Sequence, residues 1–305
     1  MIVNYFKALA DTTRLRIINL LLYHEMNVNE IINVLKMGQS RISRHLKVLM
    51  ESDILISRRD GLWIFYKTSE QNDTKKFLDA ISYLFEQEEI FQQDLCHCVE
   101  VLQQRTKEIA RFFDSIAEDW ERMKHEILGD FDLSREIVKR IPSCQLAADL
   151  GCGTGDLLLA LRNKADKIIG VDNSQKMLRK AEARFGDSEK NVDLRIGELK
   201  FLPIRDAEIQ AGVINLVLHH VDSPKDIFAE IYRILSADGL FVIADFDKHQ
   251  EKSMQMKYGD RWLGFTQSEI KKWLNDASFQ ILEFSQFPVK RSLKINLFVI
   301  SKRRD

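Results

Sequence analysis

Asp149-Leu150-Gly151-Cys152-Gly153-Thr154-Gly155, followed by Ile169-Gly170-Val171-Asp172, decides how the second half of this 305-residue chain folds. An apolar run that reaches a carboxylate and then three alternating glycines reads as a strand turning sharply into a helix. Glycine tolerates positive φ and close approach of the backbone to a ligand, and the helix start behind it offers free N–H groups. Asp172 closes a second apolar run, where a carboxylate accepts the two hydroxyls of a ribose. The pattern therefore specifies a pocket for the adenosine half of a ligand.

Spacing selects among adenosine ligands. A dinucleotide fingerprint is G-x-G-x-x-G, whereas here Gly155 comes one place early and Asp156 occupies the expected position. A carboxylate there repels a pyrophosphate and not a sulfonium cation with an amino-acid tail. S-adenosylmethionine is accordingly the expected cofactor.

From about Phe112 onward the sequence resembles the class I S-adenosylmethionine-dependent methyltransferases. Behind the glycine loop, Asp172-Asn173-Ser174 with Met177-Leu178 is similar to the ribose-binding turn and its helix, and Gly197-Glu198-Leu199 with Leu202-Pro203 to the adenine-edge turn. Asn215-Leu216-Val217-Leu218-His219-His220-Val221 resembles the strand end that faces the methyl group, and Arg233-Ile234-Leu235 with Gly239 the next helix-to-strand step. The resemblance implies a Rossmann-like α/β domain with a doubly wound, mostly parallel seven-stranded sheet. It places the cofactor against Asp149, Gly151, Cys152, Gly153, Gly155, Asp172, Asn173, Met177, Gly197, Glu198, Leu199, Asn215 and Leu216. His219 and His220 are candidates for a catalytic base or for orienting the acceptor, against the plain alternative that they satisfy loop hydrogen bonds. Phe112, Phe113 and Trp120 are similar to a helix that caps the cofactor in many such enzymes, although aromatic pairs at that spacing are commonly core.

The chain is long enough for two domains, and 45% hydrophobic residues suffice for packed cores. It opens without a basic segment ahead of an apolar run, has no stretch of transmembrane length, and carries four cysteines, too few for a disulfide framework. A cytoplasmic location is expected. The net charge of −1 hides an asymmetry: residues 1–70 hold ten Lys and Arg against seven Asp and Glu, and the remainder 35 against 39.

That basic excess has a definite place. Leu15, Ile18 and Leu22, then Val28, Ile31, Ile32 and Leu35, fall at helical spacing, and Gly38 interrupts the pattern. Over Gln39–Ser52, Ile42, Leu46 and Leu49 share one helix face, while Arg41, Arg44, His45 and Lys47 point elsewhere. Residues 54–58 and 63–66 are β-rich and joined through Asp60-Gly61, a favoured hairpin dipeptide. Helix, turn and helix followed by a hairpin make a winged helix-turn-helix. The expected double-stranded DNA contacts are Gln39, Ser40, Arg41, Ser43, Arg44, His45 and Lys47 in the major groove, with Arg58 and Arg59 on the wing.

Ser40 to Leu49 also resembles the recognition helix of the ArsR family, and Ala8 to Ile17 that family's first helices. Metal-sensing members often carry Cys-x-Cys at the positions of Asn27 and Asn29, and asparagine is a poor ligand for soft metals. The family binds operators as homodimers. Residues 71–128 lack proline and carry wide apolar stripes, so they are expected as a helical linker and dimerisation region between a 1–70 DNA-binding domain and a 129–305 methyltransferase domain. Cys96-His97-Cys98 is a weak metal candidate, because i and i+2 diverge on a helix. No metal site is expected.

The substrate is narrowed by what is missing. The Asn/Asp-Pro-Pro-aromatic motif of amino-group DNA methylation is absent, as is a Pro-Cys loop for cytosine C5 chemistry. Cys144 and Cys152 alone are inadequate for arsenite. The expectation is a DNA-binding transcription regulator fused to a methyltransferase with a small-molecule acceptor. Alternatives are a non-catalytic sensor of S-adenosylmethionine or S-adenosylhomocysteine, and a soft-metal or arsenite sensor through Cys96 and Cys98. Arg261, in the run Tyr258–Thr266, is expected to touch an anionic substrate or to close the domain, and Leu293–Ile300 reads as an alternating last strand.

Overall fold

The computed structural model describes residues 2–60, 63–185, 191–221 and 223–303. They form two compact units, Met1–Lys107 and Glu108–Asp305.

In the first unit, α1 (Ile2–Leu9) and α2 (Thr12–Tyr23) lead through a short β1 (Met26–Asn27) to α3 (Val28–Leu35) and α4 (Gln39–Glu51). The hairpin β2 (Leu55–Asp60) and β3 (Trp63–Thr68) follows, with strand order β1-β3-β2. Side chains fix the helix starts: Asp11 accepts the Arg14 N–H ahead of α2, and Asn27 with Glu30 forms a reciprocal capping box on α3. Asn27 is thus a helix cap. Lys36 ends α3 in the left-handed region at φ 53°. The strands of the wing pair in register, Arg58 opposite Phe65 and Arg59 opposite Ile64; the Gly61 of the anticipated turn lies outside the described residues.

The stretch 71–128 is shared between the two units. Helices α5 (Asn72–Phe85) and α6 (Glu89–Ile116) begin in the first. Tyr5 stacks near Phe77 and bonds Thr74 Oγ1 at 2.9 Å, Asn19 donates to the Phe91 carbonyl at 3.1 Å, and Arg16 grips Asp94 with two 2.6 Å bonds. These ties bind α5 and the start of α6 to the winged helix. Cys98 is buried and lies 3.7 Å from Met26 Sδ, whereas Cys96 is exposed. Their side chains leave opposite sides of α6, and no cysteine belongs to a metal-competent group among the described residues.

The second unit contains α7 (Trp120–Leu128) and α8 (Leu133–Arg140), then β4 (Cys144–Leu150), α9 (Asp156–Leu161), β5 (Ala165–Asp172), α10 (Gln175–Phe185), β6 (Val192–Ile196) and β7 (Ile209–Asn215). It continues with α11 (Pro224–Ile234), β8 (Leu235–Phe246), α12 (Ser253–Tyr258), α13 (Gln267–Asp276), β9 (Phe279–Pro288) and β10 (Lys294–Lys302). The seven strands lie in the order β6-β5-β4-β7-β8-β10-β9. The β6-to-β8 pairings are parallel, and β10 inserts antiparallel between β8 and β9.

Two apolar layers cover the sheet. Ala147 of β4 and Ile295, Leu297 and Val299 of β10 face one, while Ala148, Leu150, Phe298 and Ile300 face the other. Burial on both faces explains why β10 is continuously buried from Ile295 to Ile300 and not half-exposed, as alternation would require. The order reverses between β4 and β5 on one side and β7 on the other, which opens a crevice at the carboxyl edge. No helix among the described residues is long and apolar enough to cross a membrane.

Candidate functional site

On the winged helix, Gln39, Ser40, Arg41, Ser43, Arg44 and Lys47 are exposed on α4, while Ile42, Leu46 and Leu49 anchor the other face. Arg41 reaches Thr13 Oγ1 at 3.3 Å, and Lys47 has Glu51 one turn on at 3.8 Å. Two expected contacts sit differently from the rest. His45 is half-buried with Nδ1 3.6 Å from Asp11, its pKa lowered mainly by burial. Arg58 donates to both Glu25 oxygens at 2.8 and 2.7 Å and lies over Phe65, so it braces the wing. Arg59, one place nearer the turn, is exposed.

At the carboxyl edge of the sheet, Gly151, Gly153 and Gly155 all take positive φ, at 77°, 51° and 85°. A side chain on Gly151 would sit 2.5 Å from Val217 Cγ2. Asp172 Oδ2 accepts the Gly153 N–H and Oδ1 the Ser174 N–H, each at 2.8 Å, so one carboxylate locks the glycine loop to the next turn. Burial raises its pKa, opposed by these backbone donors. Asp149 lies 2% exposed at the end of β4, and desolvation lifts its pKa to about 7 against the pull of Lys124. Cys152 is buried beneath the loop, its thiol pushed up by the same cause.

The segment from Asp114 to Lys124 lies across this loop. Asp114 accepts from Ser174 Oγ at 2.6 Å and from the Lys176 N–H at 3.2 Å, and Thr154 Oγ1 donates to Glu121. Lys124 pairs with Asp156 at 2.9 Å, and Arg184 bridges Asp156 and Glu121. The bare carboxylate anticipated at Asp156 is therefore compensated. Its charge is held by two cations, so selection against pyrophosphate does not rest on an isolated anion.

The remaining expected cofactor residues line the same edge. Asn173 is half-buried beyond Asp172, and Met177 is a core residue of α10 whose N–H bonds Ser174 Oγ at 3.1 Å. Gly197 donates to the Asp172 carbonyl at 3.0 Å, bringing exposed Glu198 and half-buried Leu199 alongside. Asn215 ends β7 with Oδ1 buried and unpartnered, and Leu216 follows at φ 56°, tied by its N–H to the Ala244 carbonyl. A non-glycine residue held there is strained backbone at a site edge.

Beside Leu216 opens a pocket walled by Trp120, Ile127, Leu128, Phe246, Met254 and Tyr258, with His219, His220, Asp260 and Lys124 as its polar groups. Both histidines are buried. His219 Nδ1 bonds Asp245 Oδ1 at 2.6 Å, and its Nε2 lies 3.6 Å from Asp260 Oδ1. His220 Nδ1 lies 3.2 Å from the Gly259 carbonyl oxygen, and Phe113 packs edge-on at 4.8 Å. Desolvation and the neighbouring His219 push His220 well below the usual imidazole range. For His219, desolvation is outweighed by Asp245 and Asp260, which raise its pKa; burial carries Asp260 to about 7.

Asp245 and Asp260 were absent from the site read in the sequence. Asp245 left a signal, since it interrupts an apolar strand near its end as Asp149 and Asp172 do. Asp260 left none, because only the chain reversal at Gly259 brings it back. The backbone N–H groups of Arg261 and Trp262 donate to the His219 carbonyl at 2.9 Å, and Trp262 Nε1 to the Val221 carbonyl at 2.7 Å.

This fold and crevice define a class I methyltransferase domain, preceded by a winged helix. Residues 148–243 match the methyltransferase domain family, and residues 11–57 the bacterial regulatory proteins of the arsR family. The chain thus carries an arsR-type helix-turn-helix segment followed by a methyltransferase-type domain. A demethylmenaquinone methyltransferase of Lactobacillus johnsonii is 33% identical over 105 residues, covering 33% of this chain and 43% of that protein. An arsenite methyltransferase of Halobacterium salinarum is 27% identical over 147 residues, 45% of this chain and 38% of that one. The chain thus spans less than half the length of either relative. A chain from the complex of the Haloferax volcanii Trm112 methyltransferase activator with a methyltransferase shares the fold at TM-score 0.54 and 19% identity, over 63% of this chain and 98% of its own.

Proposed function

We propose that this protein is a DNA-binding regulator whose second domain transfers a methyl group from S-adenosylmethionine to a small, largely apolar acceptor. The observation that carries the reading is one continuous crevice edge: the glycine loop and Asp172 locked together, followed by Leu216 and the pocket that holds His219 and His220. Methyl transfer from a sulfonium is an in-line displacement, so positioning supplies much of the rate. An aromatic and aliphatic wall suits a flat hydrophobic acceptor, and the two histidines supply its polar end. Among the described residues no cysteine lines the pocket, which disfavours arsenite as acceptor.

The exposed polar face of α4 supports major-groove binding, with Arg44 and Lys47 as contacts and Arg59 on the wing. Two such helices reach a palindromic operator if the chain dimerises. Apolar side chains on α1 and α5 support that: Ile2, Val3 and Phe6 are each 59% exposed, Tyr83 55% and Leu84 47%. An operator as partner supports a cytoplasmic location.

Incubation with labelled S-adenosylmethionine and a panel of quinols, phenols and thiols tests the enzyme directly: label moves to an apolar acceptor. Absence of transfer to any acceptor class by protein that binds the cofactor would refute turnover. For the other domain, Arg44→Ala is expected to weaken binding to the chain's own upstream DNA by about tenfold with folding intact, and Leu84→Glu to shift sedimentation from dimer to monomer.

A further inference from the structure

We infer that His219, His220 and Asp260 form a binding site for a divalent transition-metal ion of the zinc class. The three residues are buried together, and one ligand atom from each lies within 4.8 Å of the others. His219 Nε2 and Asp260 Oδ1 are 3.6 Å apart, too far for a hydrogen bond and close to the edge of a tetrahedron with metal–ligand bonds of about 2.0–2.2 Å. Both Asp260 oxygens are buried without a hydrogen-bond partner. Such a carboxylate costs free energy unless a cation completes it.

The residues behind the cluster are arranged as metal sites require. A ligating imidazole donates its other N–H to a carboxylate or carbonyl, which fixes ring and tautomer. Asp245 does this for His219 Nδ1, and the Gly259 carbonyl for His220 Nδ1. Each ring therefore keeps Nε2 as its lone-pair donor. Two imidazoles and one carboxylate suit a borderline cation and leave a coordination position toward the pocket, where an anionic oxygen of an acceptor would bind.

This site rests on the proposed acceptor pocket for its purpose but not for its existence, so it is tested without turnover. The full-length protein, stripped with a chelator, is titrated with Zn2+ and with Co2+, and bound metal is counted by elemental analysis. One ion per chain is expected, with the weak visible Co2+ bands of a nitrogen and oxygen site and no intense thiolate charge transfer. Asp260→Asn should weaken binding at least tenfold, and Asp245→Asn, which removes the charge behind the His219 ring, about 10–100-fold. Failure of the unaltered protein to bind either ion at micromolar concentration overturns the assignment. So does a thiolate spectrum, or unchanged affinity in folded Asp260→Asn.

Discussion

The two sides of the crevice hold their acids differently. On the β4–β5 side the carboxylates are engaged: Asp172 by the Gly153 and Ser174 amides, Asp156 by Lys124 and Arg184. On the β7–β8 side, Asp245 Oδ2, both Asp260 oxygens and Asn215 Oδ1 are buried with no hydrogen bond among the described residues. Each unpaired buried group costs about 1–3 kcal/mol. On the proposed reading the cofactor side is preorganised by the protein itself, whereas the acceptor side is completed by what binds it.

Asp149 is the exception on the cofactor side, and it offers the largest effect. Its pKa of about 7 in the fold exceeds the ordinary 3.8, so its contribution to stability is fully present below pH 3.8 and is lost as pH rises through 7. The displacement is on the order of 4 kcal/mol at full ionisation. Asp149→Asn should match the parent protein in urea unfolding near pH 4 and exceed it at pH 8; identical pH profiles would show that this carboxylate is not strained by burial. Gly151→Ala comes next, with a loss of about 1–3 kcal/mol from its positive φ. Val217→Ala should recover only the part due to the 2.5 Å approach to Val217. No loss would mean that the loop is not preorganised. Lys124→Met should cost about 1 kcal/mol or less, because Lys124 and Asp156 are both partly exposed and Arg184 remains. A larger loss in thermal melts would show that the compensation depends on one lysine.

The same division governs what was legible in the sequence. The glycine loop, Asp172 and the α4 face are local patterns in which chemistry and spacing travel together, and each stands where its pattern placed it. His219 and His220 were legible as neighbours of the methyl-facing strand, but their partners were not. Asp245 is 26 residues away and Asp260 arrives from beyond α12. The pairing of Arg58 was hidden for a similar reason, since Glu25, which it holds, stands 33 residues back. Local sequence also overstates the independence of residues 71–128, because the ties of Thr74, Phe91 and Asp94 to the winged helix are all long-range.

On the proposed reading, the glycine loop and Asp172 make one preorganised S-adenosylmethionine pocket. Calorimetric titration of the cofactor into the protein and into Asp172→Ala tests it most directly. One site per chain is expected, with an affinity loss of roughly 30-fold or more in the variant, since two backbone donors lose their acceptor. Equal affinity in both folded proteins, or no binding by either, would contradict it.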